Sequence, residues 1–244
     1  MDFKIKHSEK TIIEYCINNV MTQKEASDLY KYQTLSEDFI VSFKEDLDFV
    51  EMIKYQTFSE STILSLIELY MPIPILEAAS KYQVLSESFI REFKDEVDWV
   101  RICMHQKLSE PFMREFQDKL DWQSVSSCQK LSEPFMREFQ DKLDWEFVSS
   151  CQKLSEPFMR EFQDKLDWNL ISEYQILSHT FVEEFQDTRL TLGYVLCNVK
   201  TVKNLPRDFI MENITLIDDI RTLSYAGLNK EDLEVIKNIL EVQR

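Results

Sequence analysis

The chain has 244 residues, with 28 basic and 44 acidic side chains and a net charge of −16. Two glycines, Gly193 and Gly227, against the ~7% of an average composition, exclude glycine-rich phosphate loops, dinucleotide fingerprints and collagen, and weigh against turn-rich β folds. A hydrophobic share of 44% supplies a core, and five cysteines are too few for a disulfide scaffold.

The first residues are charged (Asp2, Lys4, Lys6, Glu9, Lys10) and no apolar block follows. No apolar run anywhere reaches the ~18 residues of a membrane span. We therefore expect no signal peptide, no membrane association and a cytoplasmic or otherwise intracellular location. Residues 1–34 read as an N-terminal helical cap, with helices around Lys10–Asn18 and Lys24–Tyr32. From residue 35 a repeat begins. Leu35-Ser36-Glu37 runs to Phe49, and a degenerate unit starts at Phe58-Ser59-Glu60. The next start, Leu85, lies 27 residues on rather than 23, with the insertion near 70–76. There the sequence predicts a helix from Ser61 to Tyr70, a stop forced by Pro72 and Pro74, and a second helix from about Ile75.

The unit from Leu85 to Trp99 is followed by three identical fifteen-residue strings, Leu108–Trp122, Leu131–Trp145 and Leu154–Trp168, spaced by 23 residues. All four tryptophans sit on this period. Leu177-Ser178 opens another unit, and Leu205 and Leu228 mark more distant ones. About nine units are visible. Residues 35–188 form the repeat array, and 189–244 hold degenerate repeats and a C-terminal helical cap. Leu190–Val202 reads as a distorted unit or a short extended stretch. Near the end, Gly227 closes a helix, Asn229 caps the next, and Leu233, Ile236 and Leu240 form its stripe.

Within one unit, Ser132 is an N-cap, Pro134 falls in the first turn where a missing N–H costs little, and Leu131 and Met136 make a hydrophobic staple. Phe135, Phe139 and Leu143 follow at helical spacing. Asp144 caps a second helix with Trp145 and Val148 inward. Helices this short are marginal alone in water, so stacking must complete the core. Phe135 is expected near Phe112 and Phe158, and Trp145 near Trp122 and Trp168. The expected fold is all-α: a right- or left-wound α-solenoid of short two-helix repeats.

His7, His105 and His179 lie far apart with no metal-spaced partner, and nothing suggests a metal, a cofactor or a catalytic triad. Cys128 and Cys151 share one slot with Tyr82, His105 and Tyr174. A ~10 Å repeat spacing exceeds disulfide reach, so buried free thiols are expected. The acidic runs at 44–48 and 95–98 lack the pattern of a calcium loop, and Asp48 and Asp98 align with the helix-capping Asp144. Gln33, Gln56, Gln83, Gln106, Gln129, Gln152 and Gln175 recur at the turn between units. They bond either a ligand or, as we favour, backbone groups of the turn. Three identical segments present one surface repeatedly, which does not suit an enzyme's asymmetric constellation.

All of the net charge lies in 35–188, as 31 acids against 15 bases. This is about two negative charges per repeat, against about six per 10 Å of B-DNA, with Lys and Arg interspersed, so nucleic-acid mimicry falls short about threefold. No basic stripe points to direct nucleic-acid binding.

The frame S-E-x-F-I/M-x-E-F-x-D-x-x-D-W, from about Tyr32 to Gln186, resembles short helical repeats of large DNA viruses and phages. The resemblance implies an α-solenoid in a viral or mobile-element context and carries no catalytic residues. Pro111, Pro134 and Pro157 depart from that frame, standing where other units here have Asp38 or Ser88. Separately, Leu205-Pro206-Arg207-Asp208-Phe209-Ile210 with Ile214, Asp218, Asp219, Ile220 and Leu223 is similar to an F-box, which implies docking to a ubiquitin-ligase adaptor. Against it, Leu205-Pro206 fits a repeat start, with Phe209 and Ile210 matching Phe89 and Ile90.

The reading that follows is a non-catalytic repeat scaffold for protein–protein interaction. Specificity is expected at exposed positions that differ between units: Gln123 with Ser124, Glu146 with Phe147, Asn169 with Leu170, the irregular turn at Pro72 and Pro74, and the segment at Leu205 and Pro206. The alternatives are a self-assembling structural or virion component, an acidic inhibitor or nucleic-acid mimic, and the F-box-like adaptor.

Overall fold

A computed structural model describes residues 1–43, 47–69, 72–216, 231 and 234. The expected stripe at Leu233, Ile236 and Leu240, its Asn229 cap, Gly227, and the F-box positions from Asp218 onward lie outside the described residues. Every regular element described is a helix, and the chain divides into two compact units, Met1–Asp121 and Trp122–Arg244. Each is a stack of helical repeats, so the all-α solenoid fold follows from the 23-residue period.

The first unit opens with the cap helices Glu9–Asn18 and Gln23–Tyr32, close to their expected bounds. Thr22 and Glu25 form a capping box, each side chain bonding the other's backbone N–H. Repeat helices follow in pairs: Glu37–Ser42 with Phe49–Met52, Glu60–Leu69 with Pro72–Tyr82, and Glu87–Glu92 with Trp99–His105. The helix Glu60–Leu69 ends before the prolines as expected, but the next begins at Pro72 rather than near Ile75. Both prolines lie inside the first turn of Pro72–Tyr82, where absent N–H groups leave no bond unmade.

The second unit shows why identical sequence gives identical structure. Ser132 and Ser155 accept the N–H groups of Phe135 and Phe158, capping helices Glu133–Glu138 and Glu156–Glu161. These helices are only six residues long, shorter than the Phe135–Phe139–Leu143 stripe suggests. Phe139 has φ −107° and ψ 23°, and its carbonyl accepts the N–H groups of both Lys142 and Leu143. The chain therefore turns at Phe139, yet all three apolar side chains remain buried. Asp144 then caps Trp145–Cys151 through the N–H groups of Glu146 and Phe147, and Asp167 does the same for Trp168–Tyr174.

Within a repeat the two phenylalanines touch, as Phe135 and Phe139 do at 4.6 Å, and between repeats each tryptophan reaches forward to that pair. Trp145 stacks on Phe158 and Phe162 of the following repeat, with centroids 6.3 and 4.9 Å away. Trp122 meets Phe135 and Phe139, and Trp168 meets Phe181 and Phe185, in the same way. The segment Leu190–Val202 is a distorted helical unit, Leu192–Cys197 followed by Val199–Val202. Arg207–Glu212 follows Leu205-Pro206 as a first helix does in other repeats, with Leu205 and Ile210 buried.

Candidate functional site

The repeat frame is largely devoted to holding neighbours together. In the second unit, the Gln152 amide donates to the carbonyls of Ser126 (2.8 Å) and Gln129 (2.7 Å) and accepts the Leu131 N–H (3.1 Å). Gln175 repeats this one repeat later, to Ser149, Gln152 and Leu154. In the first unit, Gln83 bonds Ile53, Gln56 and Phe58, and Gln106 bonds Ser80, Gln83 and Leu85. These glutamines are buried, and both hydrogens of each amide serve the backbone. They are structural, as the unpaired carbonyls of the turn suggest.

The ladder ends on a pair the sequence reading missed. Asn198 donates to the Gln175 carbonyl at 2.7 Å, and the Thr201 hydroxyl donates to the same oxygen while accepting the Leu177 N–H. A signal was present: Asn198 stands 23 residues after Gln175. Two further rows reinforce the stack. Glu133 accepts the Ser155 N–H and Glu156 the Ser178 N–H, while buried Ser126 and Ser149 accept the N–H groups of the capping Asp144 and Asp167.

Basic side chains are drawn into the same task. Arg137 lies over the Phe158 ring and pairs with Glu161, and Arg160 lies over Phe181 and pairs with Glu184. Lys165 lies over Trp145 and pairs with Asp141, and Arg189 lies over Trp168 and pairs with Asp164. Hydrogen bonding to Glu184 raises the Arg160 pKa. In the first unit, Lys119 bonds Asp95 and lowers its pKa. At the N-terminal cap, hydrogen bonds from Tyr15, then from the Thr22 backbone and hydroxyl and the terminal amine, hold Glu25 at a pKa of about 2.

Outside this clamping lies the outer face of the second helices, where the otherwise identical repeats differ. Gln123, Glu146 and Asn169 occupy equivalent positions one helical residue past the tryptophan, and all are exposed. At the next position Ser124 is buried, whereas Phe147 and Leu170 are half-buried. The last helical residues, Cys128, Cys151 and Tyr174, are exposed. The expectation of buried thiols therefore holds for Cys103 alone. Cys16 and Cys197 are half-buried, and Cys128 and Cys151 face outward because the neighbouring glutamine takes the inward position.

The remaining candidates are distributed differently. Pro72 is exposed and Pro74 half-buried in the first unit. Leu205 is 6% exposed, a packing leucine like Leu131, whereas Pro206 is exposed. The histidines do not converge. His7 bonds the Asp2 carbonyl, His105 is exposed, and His179 lies against Phe209 and beside Glu183. Among the described residues no three His, Cys, Asp or Glu side chains come together as metal ligands, and no helix is long and apolar enough to cross a membrane. The sequence matches no protein-family model, no curated protein and no solved structure.

Proposed function

We propose that the chain is a non-catalytic repeat scaffold whose second-helix outer face binds another protein. One observation carries this reading: the residues shared by the repeats are used for packing and clamping, while exposed residues of the second helices vary at fixed spacing. Gln123, Glu146 and Asn169 make three different polar displays on one frame, and Phe147 and Leu170 add partly exposed apolar surface beside them. Such a regular array of unlike side chains is the form of surface that repeat proteins use to read an extended partner.

The test exploits the internal duplication. Replacing Glu146 and Phe147 with the Gln and Ser of the preceding repeat leaves the frame intact. Partners are cross-linked from a photoreactive side chain placed at position 169. The expected result is unchanged helical content with loss of the cross-linked product. Equal cross-linking by both proteins would overturn the assignment of this face. Concentration-dependent sedimentation of the purified chain, abolished by the same pair of substitutions, would identify the partner as a second copy.

A further inference from the structure

In the second unit the turns that leave two successive second helices enclose a groove of about 470 Å³, lined by Cys151, Lys153, Tyr174, Ile176 and Lys200. Its cations differ from those that clamp neighbouring repeats. Arg137, Arg160, Lys165 and Arg189 are each held by a carboxylate of another repeat. Lys153 and Lys200 are exposed and form no ion pair among the described residues. Glu156, three residues from Lys153, is already engaged: it accepts the Ser178 N–H and lies 4.0 Å from Arg160. The negative ends of the two helices are covered as well, because Gln175 bonds the carbonyls of Ser149 and Gln152, and Asn198 bonds those of Ser172 and Gln175. Beside the lysines, Tyr174 and Ile176 are 50% and 51% exposed and form an apolar shelf.

We infer that this groove binds an acidic peptide segment, with carboxylates on Lys153 and Lys200 and an aromatic or aliphatic side chain on the Tyr174–Ile176 shelf. The inference rests on the protein-partner reading but uses a different surface, the C-terminal end of the second helices in place of their outer face. The net charge of −16 repels an acidic peptide from the molecule as a whole, so saturable binding demands a local site of opposite sign. Lys130, exposed in the equivalent turn one repeat earlier, continues the same positive row.

The test uses the intact chain and a fluorescein-labelled nonapeptide of repeating Glu-Glu-Phe, followed by anisotropy at low salt. Saturable binding is expected, together with slower alkylation of Cys151 by iodoacetamide when peptide is present. Lys153→Glu with Lys200→Glu should weaken binding about tenfold or more. Lys10→Glu with Lys24→Glu, an equal change in net charge on exposed residues of the first unit, should leave it within about twofold. No saturable binding, or equal loss in both double variants, would overturn the groove assignment. Substituting Glu146 and Phe147 should not affect this peptide, so failure of the groove and failure of the outer face are distinguishable.

Discussion

A glutamine at the turn between repeats satisfies three backbone groups at once, and its loss leaves two buried carbonyls and one N–H without partners. Each orphaned group costs about 1–3 kcal/mol, and local relaxation recovers part of that. Gln152→Leu is therefore expected to destabilise by about 3 kcal/mol, read from the urea midpoint, while Gln123→Ala on the exposed face should stay within about 0.5 kcal/mol. Comparable losses for the two would show that the ladder is not what holds the turns. A second residue-scale expectation concerns acid. The Glu25 pKa is depressed from 4.5 to about 2 by its hydrogen bonds, so the carboxylate favours the folded state above pH 4.5. Its contribution is lost as pH falls from there towards 2. Carboxyl chemical shifts should report a midpoint near 2, and Glu25→Gln should reduce the acid sensitivity of the N-terminal helix pair.

At the scale of the helix, capping matters more than length. Helices of six and seven residues lie below the length that is stable alone, so they depend on their caps and on the next repeat. Asp167→Ala removes two capping bonds, to Asn169 and Leu170, and should cost about 1 kcal/mol in thermal or urea unfolding, with Asp167→Asn costing less. These caps were readable directly: Ser132 and Asp144 stand where a helix start needs a short acceptor side chain, and both cap as expected. Other features were not readable. The stripe Phe135–Phe139–Leu143 fits a helix of nine residues, yet the chain leaves helical geometry at Phe139, since burial of Leu143 needs only that the side chain return to the core. Pro72 and Pro74 were legible as helix punctuation, but the second helix begins at Pro72 itself, about one turn before Ile75. The outward direction of Cys128 and Cys151 depends on which side the adjacent glutamine takes, and only the packed turn decides that. The variable positions were legible because three copies of one string reveal them by subtraction, but burial of Ser124 at one of them is set by the packed helix.

For the molecule as a whole, stability should grow by repeats. Each repeat contributes its own short helices and one interface with its neighbour, and in such stacks these contributions add. Inserting a further copy of residues 131–153 into the second unit should keep mean residue ellipticity constant, and should raise the urea m-value as more surface is buried. Inserting half a copy should broaden or abolish the cooperative transition, because every downstream glutamine would face the wrong carbonyls. A sharp transition with half a copy would mean that the 23-residue register is dispensable.

The backward reach of the glutamine amide also has an evolutionary consequence. Each amide bonds two backbone carbonyls of the preceding repeat and the first N–H of its own, so one junction between whole repeats is chemically the same as another. Recombination between identical tandem stretches can then add or remove repeats in frame without a new core having to arise. Size becomes a character that a lineage changes in whole steps, and fresh copies supply second helices whose outward residues are free to diverge.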